Sequence, residues 1–149
     1  MKKGEAEISF KEAMDLVEVP VVTFRFPQNN KVKKLNFIID TGASSCFIDK
    51  NVISLLDNKK LAEKDDDEVV YSASGLTESE VVKYYLDFYY ENSNFNAKFA
   101  VIDLSEPIAY IKETNGVTIA GMIGSDFFKQ TKTKIDFESL KIKIHGRYS

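Results

Sequence analysis

One acid stands where chemistry could be done. The run Phe37-Ile38-Ile39-Asp40-Thr41-Gly42-Ala43-Ser44-Ser45 sets a carboxylate at the mouth of an apolar strand, directly before a glycine turn. Burial behind and a tight turn in front present a reactive acid, although a strand ending in Asp before Gly is also a common plain turn. Two chemistries that use such an acid are excluded by its neighbours. The nucleophilic aspartate of haloacid-dehalogenase-type phosphatases has a second acid two residues on, and that position here is Gly42. The phosphate-cradling turn of actin-like and sugar-kinase ATPases needs two large lobes, which 149 residues cannot supply, and the chain has no Gly-Lys-Ser/Thr phosphate loop. The third chemistry is acid–base work, in which two carboxylates share one proton and activate a water against a peptide carbonyl.

The elements that must hold Asp40 read mostly as strands. Val19 to Phe26 is a β-rich run, Pro27-Gln28-Asn29-Asn30 has turn chemistry, and Val32 to Asp40 forms the second strand of a hairpin. Asp49 is placed to cap a short helix carrying Val52, Ile53, Leu55 and Leu56, and the charge run Glu63 to Glu68 reads as a solvated loop. Val69-Val70-Tyr71 leads to the small tip Ser72-Ala73-Ser74-Gly75, after which Val82, Tyr84, Leu86, Phe88 and Tyr90 share one strand face. Further strands are expected over residues 95–104, 117–123, 134–137 and 140–144, with a helix over 125–131. Short strands without a strand-helix-strand rhythm predict one all-β domain over residues 1–149, with its core at about 19–144. Its form would be a closed or folded barrel with one or two short helices.

Composition narrows the function classes. The chain is long enough to bury roughly 68–70% of its unfolded surface, and 44% apolar with 29% charged residues is ordinary for a globular protein. Twenty basic against twenty-three acidic side chains leave −3, so no positive field favours nucleic acid. The lone Cys46 and lone His145 can form neither an internal disulfide nor a zinc site, and no metal or cofactor is expected. Cys46 reads as a small buried hydrophobe, His145 as an exposed side chain, and Tyr84, Tyr85, Phe88, Tyr89 and Tyr90 as core and sheet-surface aromatics. No run approaches the roughly 20 apolar residues of a membrane span, and Met1 to Glu7 offers no apolar leader. The expectation is a cytoplasmic protein without a membrane partner.

Three segments in this order resemble the retropepsin-like, single-domain aspartic peptidases. Phe37 to Ile48 is similar to their Asp-Thr-Gly loop, Tyr71 to Thr77 is placed like their flap, and Gly121-Met122-Ile123-Gly124-Ser125-Asp126-Phe127-Phe128 is similar to the segment and helix that cross behind the loop. With the first hairpin and the last strands, the likeness covers about residues 19–144. It implies the acid-protease barrel, Asp40 as the catalytic carboxylate, and Thr41 bonded across to a partner loop. Gly42 would admit a close backbone approach, and Gly124 would let the loop pack on the second crossing strand. Ser125 or Asp126 would cap the short helix. Ser44 and Ser45 on the floor, with Ser74 and Gly75 at the flap tip, are the implied contacts to an extended peptide.

The chain has one Asp-Thr-Gly loop, so the resemblance implies a homodimer with a two-fold axis between two copies of Asp40. Ala43 stands where many members carry Ser; without that hydroxyl the pair should hold its proton longer, giving an optimum at about pH 5–6. Viral members knit their termini into a shared sheet, and whether residues 140–149 do so is open. Segments 1–18, 50–68 and 105–116 are additions without a reading. A binding or dimerisation module of the same fold is the alternative to an enzyme.

Overall fold

The structure, a computed structural model, describes residues 4–29, 31–57, 59–62, 70–72, 75–77 and 81–148. Strands β2 (Val21–Gln28) and β3 (Lys31–Ile39) form the first hairpin, with Val22, Phe24 and Phe26 facing Leu35, Phe37 and Ile39 across a buried side. This is the two-residue period of a half-buried strand. Ahead of them lie β1 (Glu5–Ser9) and α1 (Lys11–Val17); after them come β4 (Cys46–Asp49), α2 (Lys50–Ile53), β5 (Lys59–Leu61), β6 (Val70–Ser72) and β7 (Gly75–Thr77). Strands β8 (Lys83–Tyr90) and β9 (Ser93–Ile102), α3 (Ser105–Asn115), β10 (Gly121–Ile123), α4 (Ser125–Gln130), β11 (Lys134–Asp136), β12 (Lys141–His145) and β13 (Arg147–Tyr148) complete the order.

Six strands close a barrel in the order β9-β4-β10-β3-β2-β8, with β8 pairing back onto β9. Its interior is aromatic. Phe24, Phe26, Phe37, Phe88, Phe95, Phe99 and Phe127 are buried and meet at ring-centroid distances that include 4.9 Å for Phe24–Phe88 and 5.1 Å for the stacked pair Phe26–Phe88. Such pairs contribute about 0.5–1.5 kcal/mol each beyond area burial. Cys46 is buried in this core, and of the tyrosines of β8 only Tyr85 is exposed, the others being half-buried. His145 is exposed.

A second sheet has the order β1-β12-β11, and β6 and β7 pair as a separate hairpin. The barrel matches the expected class, but four helices stand among the described residues rather than one or two. The unforeseen ones are α1 and α3. Neither fully buries a side chain or has a side-chain cap bond, so the amphipathic signal that would reveal them is weak. Asp49 does cap α2, accepting from Asn51 N–H at 3.1 Å while its other oxygen takes Leu104 N–H at 2.9 Å. The strand expected over 117–123 is shorter, because only Gly121–Ile123 is flanked on both sides, by β3 and by β4. The charge run 63–68 lies outside the described residues. No helix among the described residues is long and apolar enough to cross a membrane.

Candidate active site

Asp40 sits one residue past the end of β3, where its N–H still reaches Ile123 O of β10 at 2.9 Å. The parallel register Phe37↔Gly121, Met122↔Ile38 and Ile123↔Ile39 therefore runs up to the acid, fixing its backbone on the barrel. The chain then turns: Ala43 N–H donates to Asp40 O at 3.2 Å, and Gly42 N–H donates to Asp40 Oδ1 at 2.9 Å. That second bond orients the carboxylate, which is half-buried, while Thr41 and Gly42 are exposed. A Cβ at Gly42 would stand 3.3 Å from the same Oδ1, so any side chain there would crowd the acid.

The back of the loop is held by α4. Ala43 O accepts from both Ser125 N–H at 2.8 Å and Ser125 Oγ at 2.9 Å, and Ser44 O accepts from Asp126 N–H at 3.3 Å. Gly124 lies against the loop so closely that a Cβ would fall 2.1 Å from Ser45 O and 3.0 Å from Ala43 O. Gly121, three residues earlier, has the same constraint against Phe47 O at 1.9 Å. A three-residue strand wedged between two others must turn its bare faces toward their backbones. Ala43 is 1% exposed and packs its methyl with Phe47, Ala100, Leu104 and Met122.

The helix start differs from expectation. Gly124 takes the N-cap position, and neither Ser125 nor Asp126 caps from it. Ser125 is drawn away to Ala43 O, a bracing role the sequence reading missed; a hydroxyl directly after a glycine packed on the loop was its only signal. Asp126 Oδ1 instead accepts from Phe127 N–H at 2.7 Å and from Cys46 Sγ at 3.5 Å. Burial raises the Asp126 carboxyl above its ordinary range, against the opposing pull of Phe127 N–H, Cys46 and the Lys98 charge. Burial, helped by the negative Asp126, pushes the Cys46 thiol well up and keeps it protonated. Both groups lie behind the loop, with their polar atoms turned to each other.

Of the other expected contacts, Ser44 is exposed and Ser45 half-buried beside Asp40. Ser74 lies outside the described residues, and Gly75 opens β7 opposite Ser72 in the β6–β7 hairpin. The structure thus brings Asp40, Thr41, Gly42, Ala43, Ser44, Ser45 and Gly124 together, with Gly75 at the end of a separate hairpin.

The family model described as aspartyl protease matches residues 22–127, from the first barrel strand to the start of α4. The chain belongs to the aspartyl protease family. The match contains the Asp40 loop, both hairpin strands β6 and β7, and the Gly121–Gly124 crossing, and it falls on the closed barrel of the retropepsin-like fold. It leaves out β1, β11, β12 and β13 of this aspartyl protease domain. No curated protein matches the chain.

Proposed function

We propose that the protein is an aspartic endopeptidase whose active site is built from two copies of the chain, each contributing one Asp40 carboxylate. The observation that carries the reading is an acid with one oriented oxygen at an exposed Asp-Thr-Gly loop, present once per chain. In the assembled site the two carboxylates share one proton. The ionised member takes a proton from a water as that water attacks the peptide carbonyl, and the protonated member donates to the carbonyl oxygen. Like charges that close cannot both ionise, so the pair titrates as a unit.

Thr41, exposed and without a hydrogen bond among the described residues, is the group that reaches the partner's loop. Ser44 and Ser45 on one side and the β6–β7 hairpin with Gly75 on the other bracket an extended peptide through backbone bonds. The test is hydrolysis of a diverse peptide library from about pH 4 to 7, with Asp40→Asn as control. Cleavage by the parent and none by the variant supports the peptidase, whereas a folded dimer that binds peptides and cleaves none is the non-catalytic module. The buried methyl of Ala43 offers no hydroxyl to a charged pair, so the optimum is expected at about pH 5–6. A profile peaking below about pH 4 would count against this account of the pair.

A further inference from the structure

The dimer that this reading requires meets an unusual condition in the terminal strands. Strand β12 is the centre of its sheet, with β1 on one edge and β11 on the other, so neither edge is open to a strand from a second copy. The pairing is complete along its length: Glu5↔His145, Ala6↔Ile144, Glu7↔Lys143, Ile8↔Ile142 and Ser9↔Lys141. Both ends of β1 are tied as well, by Gly146 N–H to Gly4 O at 2.8 Å and by Phe10 N–H to Leu140 O at 2.9 Å. Ala6, Ile8, Ile142 and Ile144 are buried in the main core, and β13 continues directly from β12 onto β9 of the barrel.

The link between β11 and β12 is local. Asp136 accepts from Glu138 N–H, Ser139 N–H and Ser139 Oγ, at 2.8, 3.2 and 2.8 Å, closing a short turn. His145 N–H donates to Thr131 O at 3.0 Å, fixing the sheet to the end of α4. At the other end of the molecule, the loop face has small groups to offer a second copy: Thr41, Gly42 and Ser44 are exposed, and the exposed large apolar side chains among the described residues all lie elsewhere. A polar contact of that kind falls short of the extensive apolar interface of obligate dimers.

We propose that each chain folds to completion alone, with its terminal strands paired in-chain, and that the second copy docks on the face around Thr41 and Gly42. Assembly of the active site is then a separate step, set by concentration and by a peptide lying across both copies. The occupant of the loop face is a second copy of this chain; this rests on the two-copy peptidase reading, while the in-chain sheet does not.

The two can be tested apart. The variant Glu7→Cys with Lys143→Cys places thiols at a directly paired position, where antiparallel strands bring Cα atoms about 4.5–5.5 Å apart, within disulfide reach. Oxidation is expected to give a covalently closed single chain at every protein concentration. A covalent dimer would overturn the proposal by showing the strands exchanged between copies, and a folded chain that forms no cross-link would overturn it by separating β1 from β12. The unmodified protein should sediment as a folded monomer when dilute, with an unfolding midpoint unchanged over about a hundredfold range of concentration. A midpoint rising with concentration, or a dimer persisting at the greatest dilution, would refute it. Cleavage per chain should fall on dilution while the fold is retained; absence of cleavage at any concentration would sink the peptidase reading and leave the sheet result standing.

Discussion

The two ends of this molecule are built on opposite plans. Around Asp40 the chain exposes small residues and fixes them through backbone: Ile123 O, Ala43 O and Ser44 O each hold a hydrogen bond that reaches across elements, and Gly124 is needed for the approach. In the β1-β12-β11 sheet the hold comes from side chains, with Ala6, Ile8, Ile142 and Ile144 buried and the outer face bridged by Glu7 to Lys141 at 3.1 Å. The first end lies inside the stretch matched as aspartyl protease and the second outside it. An end that must meet a partner and a substrate is left open with its backbone immobilised, while the end that supplies stability is closed on itself. Local unfolding free energy should differ accordingly between them.

The sharpest separation of chemistry from stability is Asp40→Asn. Asn keeps the Oδ1 that accepts from Gly42 N–H, so the loop stays folded while the acid is lost. Peptide hydrolysis should fall by about 10²–10⁴-fold or more with little change in the unfolding midpoint, measured by initial rates beside thermal denaturation. A large drop in midpoint would mean that the charge itself holds the loop. At the closed end, Ile144→Ala empties a fully buried position and should cost about 2–5 kcal/mol without changing the rate per folded dimer. Gly124→Ala drives a methyl into Ser45 O and should cost about 1–3 kcal/mol while also lowering kcat, because the loop must shift. Denaturation and kcat measured on both variants would erase the contrast if Ile144→Ala damaged kcat as much as Gly124→Ala.

How far these ends were legible in the sequence differs for a physical reason. The Asp40 end is specified locally: an apolar strand, an acid and a glycine turn are contiguous, and the Gly121–Gly124 segment carries its own spacing. The barrel strands followed from two-residue alternation, as in Val22, Phe24 and Phe26. What the sequence withheld depends on partners far apart in the chain. Pairing of β1 with β12 joins residues about 135 positions distant, and nothing in Glu5–Ser9 names its neighbour. Ser125 looked like a cap because caps are local, yet its hydroxyl is captured by Ala43 O across the fold. Helices α1 and α3 escaped because they bury no complete side chain and so lack a strong stripe.

The finest test of the contrast uses two acids with opposite shifts, one at each end. Asp126, behind the active-site loop, is raised chiefly by burial. Its folded form therefore binds a proton at pH values where the unfolded chain has released it, so stability declines as pH rises from the ordinary carboxylate range through the raised value. Asp136, in the turn of the terminal sheet, is lowered by bonds from Ser139 Oγ and from the N–H groups of Glu138 and Ser139. Its contribution is present above the ordinary carboxylate value and is lost as pH falls through the lower folded value. Asp126→Asn keeps an acceptor for Phe127 N–H and removes the buried charge, so it should be the more stable protein at neutral pH, by less than about 1 kcal/mol after solvent screening. That advantage should vanish in acid. Asp136→Asn should be the less stable protein at neutral pH, and its deficit should shrink in acid for the opposite reason. Urea midpoints for the three proteins from roughly pH 3 to 8 would show the parent curve diverging from each variant in the same direction of pH but with opposite sign. Three parallel curves would mean that neither acid couples its end of the molecule to pH.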